Sequence, residues 1–568
     1  MRGLISRGIR GLSRRSANSA APILWAAFLT LLVAGPWLSA GFIFGTDWPG
    51  PRRFALPTNL ASSAPLQALL AAVSHFLSGE LTGKLFILGL IFIAAITAFH
   101  AAPTNGFVPG AVASVVYVVN PFVFGRMHYG QLYLLAGYAI LPWVAARIWR
   151  LLTEPGAVAG LLLALSLALV SVAATHLFLV ALALAVALIA TEVFSGGKPL
   201  RSLARIARSL LVAGVATVAL TSYWLVPLIL GKGSDAKSIA AVTTSDLMTY
   251  AAVPDPHFGL VPNLLGLYGF WAENTGRFAS MKEFVPVWPV ILAGLLAVAA
   301  IGAISALRQR PNYQVTWVAG LLVAGGIALV LEMGVSSFLT RGLVTWLDAT
   351  FPLYRGMRDA GKWGALLALI YSQLAALGTA SIRDWIRALT RDSPAGQWFG
   401  SLAAGFLLAL PLYYGNGLLF GMHGEIRPSQ YPAGWYAADH FLAVDGQPGR
   451  TLFLPWREYL SLSFVQNQNS VVLSPAPTFF STPVVISADP EVPGSNPPSD
   501  PDQEAISGLV AAGGQGHWAQ VLAERGVKYV LLAREGDWKS YEYMGQQPGL
   551  SLVGDFGSIV LYRDNLVP

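Results

Sequence analysis

The sequence predicts a polytopic α-helical membrane protein with a small extracytoplasmic α/β domain at its C-terminal end. Of the 568 residues, 55% are hydrophobic and 11% are charged, and the mean hydropathy is +0.57. Soluble domains usually carry about 25% charged residues. Long apolar segments recur up to about residue 420, and the hydropathy falls after Gly421. Most of the chain is therefore expected to lie in a lipid bilayer.

Apolar segments of membrane-spanning length define a predicted transmembrane domain over residues 1–420. A helix needs about 20 mostly apolar residues to cross the hydrocarbon layer. The first apolar run follows a basic N-terminal segment and is too long for a signal-peptide core, so we expect it to be retained. Thr175 and His176 mark a tight turn or a short break between two spans. We predict about eleven helices, at roughly 22–44, 84–102, 107–125, 131–149, 156–174, 176–194, 209–230, 287–306, 314–333, 363–382 and 399–420.

Lysine and arginine fall in short clusters between the apolar segments. Membrane proteins carry such clusters in their cytoplasmic loops. With the N-terminus inside, four basic loops are cytoplasmic, and an odd number of spans places the C-terminus outside. The net charge of +7 is then explained by topology in a plasma membrane and not by nucleic-acid binding. The basic loops contain Arg147 and Arg150, then Lys198, Arg201, Arg205 and Arg208, then Arg308 and Arg310, and finally Arg383, Arg387 and Arg391.

Three predicted external loops are too long to be simple connectors. Connections in compact domains have a median length of about 5 residues, whereas these loops cover residues 45–83, 231–286 and 334–362. Within the first loop, residues 63–78 suit an amphipathic helix that lies on the membrane. Long loops gathered on one face usually build a functional site, so the external face is where we expect one.

After Gly421 the sequence predicts a separate soluble domain over residues 421–568. Segments that begin at Arg450, Val527 and Gly557 are rich in β-branched and aromatic residues and predict strands. The segments 432–443 and 503–525 predict helices. The result is a small α/β domain on the external side.

Asp47 is the first candidate for catalysis. It follows the first span and is flanked by Trp48 and Pro49. A carboxylate at the mouth of a cavity is partly desolvated, which raises its pKa and suits it to act as a general base. The Asp-Trp-Pro-Gly sequence fits an interfacial turn equally well, in which case Asp47 has only a structural role.

Several cations lie on the predicted external side, where positive charge is normally scarce. Arginine binds phosphate through a planar fork of donors, and lysine acts as a point charge. Cations just outside the bilayer would suit a lipid-linked phosphate. The alternative is pairing with lipid headgroups or with nearby acids such as Asp348. The candidates for donor phosphate binding are Arg126, Arg358, Lys362, Arg52 and Arg53, and Arg277 and Arg355 belong to the same external set.

A polar segment near residue 128 joins two predicted spans at the outer surface. Polar side chains at that depth are costly unless they have partners or a purpose. These residues either hydrogen-bond a tight turn between helices or bind a sugar. The candidates for acceptor or sugar binding are His128, Tyr129, Gln131, Trp271, Glu273 and Asp359.

The sequence contains none of the common nucleotide or metal motifs. It has no Walker lysine motif, no His-Glu-x-x-His zinc motif and no Gly-x-Ser-x-Gly elbow. It also has no cysteine, which excludes disulfides and thiolate metal sites. No motif indicates a cofactor, and a divalent metal is possible although no motif indicates one.

The chain resembles the GT-C superfamily of membrane glycosyltransferases, especially the arabinofuranosyltransferase-like branch, and is similar to membrane proteins of the YfhO type. The resemblance rests on four features: the Asp in the first external loop, the stretches 120–143 and 351–363, and the external α/β tail. Family members commonly carry an acidic pair in the first loop. Here Asp47 has no acidic neighbour before Glu80, which departs from that pattern.

The resemblance implies sugar transfer from a polyprenyl-phosphate donor to a glycan or glycolipid acceptor on the outer face, with Asp47 as the catalytic base by position. Membrane lipids would be further partners. A non-enzymatic alternative is a transporter of lipid-linked sugars, or an envelope assembly factor. Polar, broken helices at mid-membrane would favour a transporter, whereas a cavity beside Asp47 at the outer surface would favour a glycosyltransferase.

Overall fold

The computed structural model describes residues 20–195, 197–277, 279–309, 312–390, 393–445, 449–490, 492 and 500–567. The basic N-terminal segment, Arg310 and Arg391 lie outside these described residues. Apolar helices occupy every one of the predicted spans, and the chain is a multi-pass membrane protein.

Within the described residues, nine helices are long and apolar enough to cross a bilayer. A bent pair, Phe107–Val118 and Pro121–Tyr129, gives a tenth when it is counted as one span. The predicted fifth span is the helix Ala157–Ala173, whose 17 residues make it shorter than the rest. The nine helices are Ala21–Leu38, Gly79–Ala101, Leu132–Thr153, Thr175–Ser195, Pro199–Ile229, Trp288–Leu307, Tyr313–Ser336, Ala360–Thr390 and Pro394–Tyr414.

The predicted span at 107–125 is interrupted at Asn120, where the two helices of the bent pair meet at 45°. Pro121 lacks a backbone N–H and starts a new helix. The Asn120 side chain caps that helix by accepting from the Val123 backbone N–H at 3.0 Å, and its amide donates to the Tyr117 carbonyl at 2.7 Å. The capped break turns the chain so that Pro121–Tyr129 runs toward the first loop.

Short helices fill the long loops between the spans. The predicted amphipathic helix is found at Ala64–Phe76, and it exposes Leu69 and Phe76. A second amphipathic helix, Phe338–Thr350, exposes several large apolar side chains in the same way. The remaining short α-helices of the membrane domain are Gly233–Ala240, Thr244–Thr249, Leu260–Leu265, Pro352–Arg355 and Leu419–Met422.

The C-terminal part folds around a five-stranded mixed sheet with the order β4-β1-β5-β7-β6. β1 is parallel to β4 and β5, whereas β7 is antiparallel to β5 and β6. A separate antiparallel hairpin pairs β2 with β3. The strands are Arg450–Leu454 (β1), Tyr459–Ser461 (β2), Val471–Leu473 (β3), Val484–Val485 (β4), Val527–Ala533 (β5), Leu550–Asp555 (β6) and Ile559–Asp564 (β7).

Helices cover both faces of this sheet, and β5 is buried along its whole length. Its alternate residues point to opposite faces, so Tyr529 packs in one apolar cluster and Val530 in the other. The helices of this domain are Ala433–Asp445, Ala476–Phe479, Pro501–Ala512 and Trp518–Ala523.

The first loop is built into this C-terminal domain, so the predicted separation at residue 421 is incomplete. Phe42 pairs by backbone hydrogen bonds with Ser429, and Phe42 and Phe44 both pack in the aromatic core around Tyr431. The Tyr431 hydroxyl donates to the Gly50 carbonyl at 2.8 Å. The domain therefore fixes the conformation of the loop that carries Asp47.

The basic segment around Arg205 lies at the opposite ends of two spans from that loop. Arg205 donates to the Leu152 carbonyl at 3.0 Å and to the Glu192 carboxylate at 2.9 Å, near the last residues of two spans. The first residues of the same two spans, Leu132 and Thr175, lie at the end that faces the C-terminal domain.

Candidate functional site

A cavity of about 610 Å³ lies between the membrane helices and the C-terminal domain. Its membrane wall is formed by Gln131, His176, Arg358 and Lys362 at the ends of spans and in the loops that join them. Its soluble wall is formed by Glu458 and Tyr459 at the start of the β2–β3 hairpin. Asp47, Asp359, Lys237, Ile239 and Tyr250 are among the remaining lining residues.

Asp47 lies between the two walls and is held from both. Its backbone N–H donates to the Tyr129 carbonyl at 2.7 Å. One carboxylate oxygen accepts from the Gln131 amide at 3.3 Å, and the other accepts from the Tyr459 hydroxyl at 3.0 Å. Burial raises the pKa of Asp47 above its ordinary value, while these two hydrogen bonds and the charge of Arg358 act in the opposite direction.

The Asp47 loop needs glycine where it touches the C-terminal end of the helix Pro121–Tyr129. Gly130 has φ +81°, and a Cβ there would lie 2.7 Å from the Trp48 backbone nitrogen. On the other side of the same contact, a Cβ on Gly45 would lie 2.7 Å from the Gly130 Cα. Two chain segments therefore meet backbone to backbone, and this close approach sets the position of Asp47 relative to Gln131.

Two cations of the cavity, Arg358 and Lys362, lie close to Ala360, where a span begins. Arg358 lies over the Tyr250 ring, with 4.4 Å between the guanidinium carbon and the ring centroid, and is 3.7 Å from Asp246. Its side chain remains 41% exposed, which leaves donors free to meet a ligand. Lys362 is buried at the cavity wall. Lys237 also lines the cavity, and cations that face one cavity form a site for an anion.

Arg126 does not line the cavity. Its guanidinium forms a buried ion pair with Asp359 and donates to the Gln131 side-chain oxygen at 2.8 Å. It also lies 4.2 Å from the centroid of the Phe270 ring. Since Gln131 in turn donates to Asp47, Arg126 orients the Asp47 carboxylate through one intervening side chain.

Arg52 and Arg53 are also absent from the cavity lining. Both guanidinium groups bind the same carboxylate oxygen of Asp439, at 2.6 and 2.9 Å. Asp439 lies on the helix Ala433–Asp445 of the C-terminal domain. These two arginines therefore fasten the first loop to that domain, which is a different contact from the phosphate contact predicted for them.

The polar residues predicted for sugar binding divide between the cavity and the protein interior. Gln131, Asp359 and Trp271 line the cavity, and Trp271 contacts the Tyr129 ring with 5.2 Å between centroids. His128 and Tyr129 are buried. Glu273 accepts from the Gly269 backbone N–H at 2.8 Å, and burial raises the pKa of its carboxyl.

Solved structures provide the comparison that decides the fold. No family model and no curated protein matches the chain. The mycobacterial arabinofuranosyltransferase AftD is similar with a TM-score of 0.62 and 17% identity, over 97% of this chain and 40% of that one. A mutant of AftD gives a TM-score of 0.60 at 17% identity, over 97% and 42% of the two chains. The chain has the GT-C fold. It spans 40% of the length of AftD.

The sequence-based hypotheses missed Glu458 and Tyr459, two residues of the soluble wall. Glu458 and Tyr459 are 411 and 412 positions away from Asp47 in the sequence, and a single Glu-Tyr pair in a soluble domain carries no signal of its own. His176 could have been found, because it lies at the predicted break between two spans. The break is present at Ala174, which adopts an extended conformation between two helices, and it places His176 at the cavity.

Proposed function

We propose that this protein is a GT-C-type glycosyltransferase that moves a sugar from a polyprenyl-phosphate donor to a hydroxyl of an envelope glycan or glycolipid. The observation that carries this proposal is the cavity, in which the Asp47 carboxylate lies near two cations. Sugar transfer from a lipid phosphate needs a proton acceptor for the incoming hydroxyl and positive charge for the departing phosphate. Both groups are present on the walls of one cavity.

In the proposed reaction, Asp47 accepts the proton of the acceptor hydroxyl while its oxygen attacks the anomeric carbon. The bond from that carbon to the phosphate oxygen breaks, and its electron pair leaves with the lipid phosphate. Arg358 and Lys362 stabilise the charge that develops there, as fixed charges do in preorganised sites. Attack by the acceptor opposite the leaving group inverts the anomeric centre.

The cavity is also suited to a donor that stays partly in the membrane. Leu228, Ile239 and Leu353 contribute apolar lining beside the charged groups. Leu228 belongs to the spanning helix Pro199–Ile229. An isoprenoid tail would follow this apolar side into the bilayer, while the phosphate would remain at the cations.

The topology that accompanies this proposal places the cavity on the external face of a plasma membrane. The basic loop around Arg205 lies at the other end of the same helices, and such loops are usually cytoplasmic. Residues 1–420 then form the transmembrane domain, and residues 421–568 form an extracytoplasmic domain that covers the cavity and receives the acceptor. Reporter fusions after Lys198 should be cytoplasmic and fusions at the C-terminus external.

The decisive experiment replaces Asp47 by Asn in the purified full-length protein. A synthetic polyprenyl-phosphate arabinofuranose donor is the first probe, chosen because of the similarity to AftD, with an arabinose oligosaccharide as acceptor. General-base catalysis contributes about 10²–10⁴-fold, so transfer should fall on that scale while donor binding changes only a few-fold. Asp537→Asn is the matched control, since Asp537 pairs with Arg457 at the protein surface. A stable Asp47→Asn protein with normal transfer would overturn the proposal.

A further inference from the structure

We propose that Glu458 is a second proton-carrying residue of the site, which takes from Asp47 the proton that Asp47 removes from the acceptor. This inference rests on the proposed function. It assigns to the C-terminal domain a direct part in the reaction, in addition to covering the cavity.

The hairpin is attached on both sides of Glu458. The Glu458 backbone carbonyl accepts from the Ser474 N–H at 2.8 Å, and the next residue, Tyr459, pairs with Leu473 in the β2–β3 ladder. The Leu473 N–H donates to the Thr46 carbonyl at 2.7 Å, directly beside Asp47. With the Tyr459 hydroxyl bound to the Asp47 carboxylate, the hairpin holds the Glu458 side chain at the same cavity as Asp47.

The Glu458 carboxyl has no structural partner that would explain its position. Among the described residues, neither a hydrogen bond nor an ion pair holds this carboxyl, although it is half-buried. Two other acids have clear structural partners: Asp439 binds two arginines, and Asp359 binds Arg126. Burying a carboxyl without a partner is costly. A carboxyl that faces a polar cavity without a partner is therefore better explained by a role toward a ligand or a proton.

The charges around Glu458 suit a group that gains and loses a proton at neutral pH. Burial and the neighbouring charges of Asp47 and Asp489 raise the pKa of Glu458 to about 7, and Arg358 acts in the opposite direction. Proton carriers work best when their pKa is near the working pH. Burial and the charge of Asp47 also raise the pKa of Tyr459, so its hydroxyl stays protonated and continues to donate to Asp47.

The proton balance of the reaction gives this second carboxyl a task. The acceptor loses one proton as its oxygen bonds to the anomeric carbon, and the lipid phosphate leaves with the electron pair of the broken bond. The proton resides on Asp47, which must be ionised again before the next turnover. Asp47 is held between the two walls and Glu458 lines the same cavity, so transfer to the Glu458 carboxylate and from there to water completes the cycle.

The first test measures kcat against pH for the wild type and Glu458→Gln. As pH falls through about 7, Glu458 becomes protonated and can no longer accept a proton, so the wild-type rate should fall. Glutamine cannot carry a proton, so kcat should drop by about 10²-fold with KM unchanged within a few-fold. The kcat of Glu458→Gln should also show no decline as the pH falls through about 7. Added formate or imidazole should restore part of the rate, and Glu458→Asp should retain more activity than Glu458→Gln.

The second test changes the pKa of Glu458 without touching the cavity lining. Asp489→Asn removes a like charge, which should lower the pKa of Glu458 and move the acidic limb to lower pH. Asp489 accepts from the Gln503 amide at 2.9 Å, and asparagine can keep that contact. Arg457→Gln is the matched control, because Arg457 is adjacent in sequence but pairs with Asp537 on the surface. It should leave the profile unchanged.

The outcomes separate this inference from the function on which it rests. A Glu458→Gln protein with normal kcat and an unchanged acidic limb overturns the role of Glu458, even if Asp47→Asn is inactive. The role of Glu458 is also overturned if neither formate nor imidazole restores the kcat of Glu458→Gln and the acidic limb of the pH profile stays in place in Asp489→Asn. If Asp47→Asn transfers sugar normally, the proposed function itself is wrong. Loss of the limb with chemical rescue supports the inference.

Discussion

The two walls of the cavity hold their charged groups in different ways. On the membrane wall, the carboxylate of Asp359 is tied to Arg126 in a buried ion pair, and Arg126 also holds Gln131. On the soluble wall, Glu458 has no such partner among the described residues, and Tyr459 is fixed by a single hydrogen bond to Asp47. The Asp359 charge on the membrane wall is thus locked by its ion pair, while the soluble wall keeps a carboxyl able to change its charge.

This difference shows how the two kinds of surroundings constrain a site. Next to the bilayer, an unpaired charge loses hydration with little compensation, so ionic groups occur in matched sets. In the C-terminal domain, water at the cavity can solvate one carboxyl. The membrane wall therefore provides a fixed electric field, and the soluble wall provides the group that exchanges protons.

The largest expected effect comes from breaking the locked pair of the membrane wall. Asp359→Asn leaves the Arg126 guanidinium buried without its counter-charge, which typically costs about 3–5 kcal/mol. The midpoint of thermal unfolding in detergent should fall steeply. Asp384→Asn is the control, because Asp384 forms an exposed pair with Arg387, and such pairs contribute about 0–1 kcal/mol.

A partner variant makes this prediction decisive. Combining Arg126→Gln with Asp359→Asn removes both charges, and part of the lost stability should return because no unpaired charge remains buried. If Asp359→Asn is as stable as the wild type, the locked pair does not stabilise the membrane wall, and the contrast between the two walls fails.

A smaller effect is expected where the first loop meets the membrane wall. Gly130→Ala places a Cβ 2.7 Å from the Trp48 nitrogen at φ +81°, so the Asp47 loop must shift. A left-handed alanine alone costs about 1–2 kcal/mol. Gly197→Ala is a matched control, because Gly197 has φ +65° with nothing within 4 Å of its Cβ position. Gly130→Ala should lose more stability than this control and should also lose transfer. Equal stability of the two variants, with full transfer, would contradict the close approach.

The smallest effect concerns the exposed cation of the membrane wall. Hydrogen bonds to charged groups contribute about 1.5–3 kcal/mol, so Arg358→Ala should weaken binding of the polyprenyl-phosphate donor by about 10-fold or more. Arg358→Lys should weaken it less, because lysine keeps the charge and loses the planar fork. Arg53→Ala is the control, since Arg53 lies at Asp439 outside the cavity lining. Isothermal titration with the donor measures all three. Equal loss in Arg53→Ala and Arg358→Ala would show that external charge in general, and not the cavity, binds the donor.

The sequence by itself determined the membrane character of the chain, the positions of its apolar helices and three of the strands of the C-terminal domain, β1, β5 and β7. It also gave Asp47, Arg358 and Lys362 as candidates, because charges beside long apolar segments are rare enough to stand out, and these three line one cavity in the structure. These signals are local: each depends on residues within one helix length, and the physical cause is the cost of placing polar groups near hydrocarbon.

Only the tertiary structure decided which of the candidate residues share a cavity. In the folded chain Arg126 pairs with Asp359 and Arg52 pairs with Asp439. The sequence could not indicate these pairs, because an ion pair depends on distance in space and not on sequence spacing. The tertiary structure also brought Glu458 to Asp47 across more than 400 residues through the packing of the first loop into the C-terminal core. Glutamate is a common residue in soluble domains, so the sequence around Glu458 gives no sign of the role proposed for it.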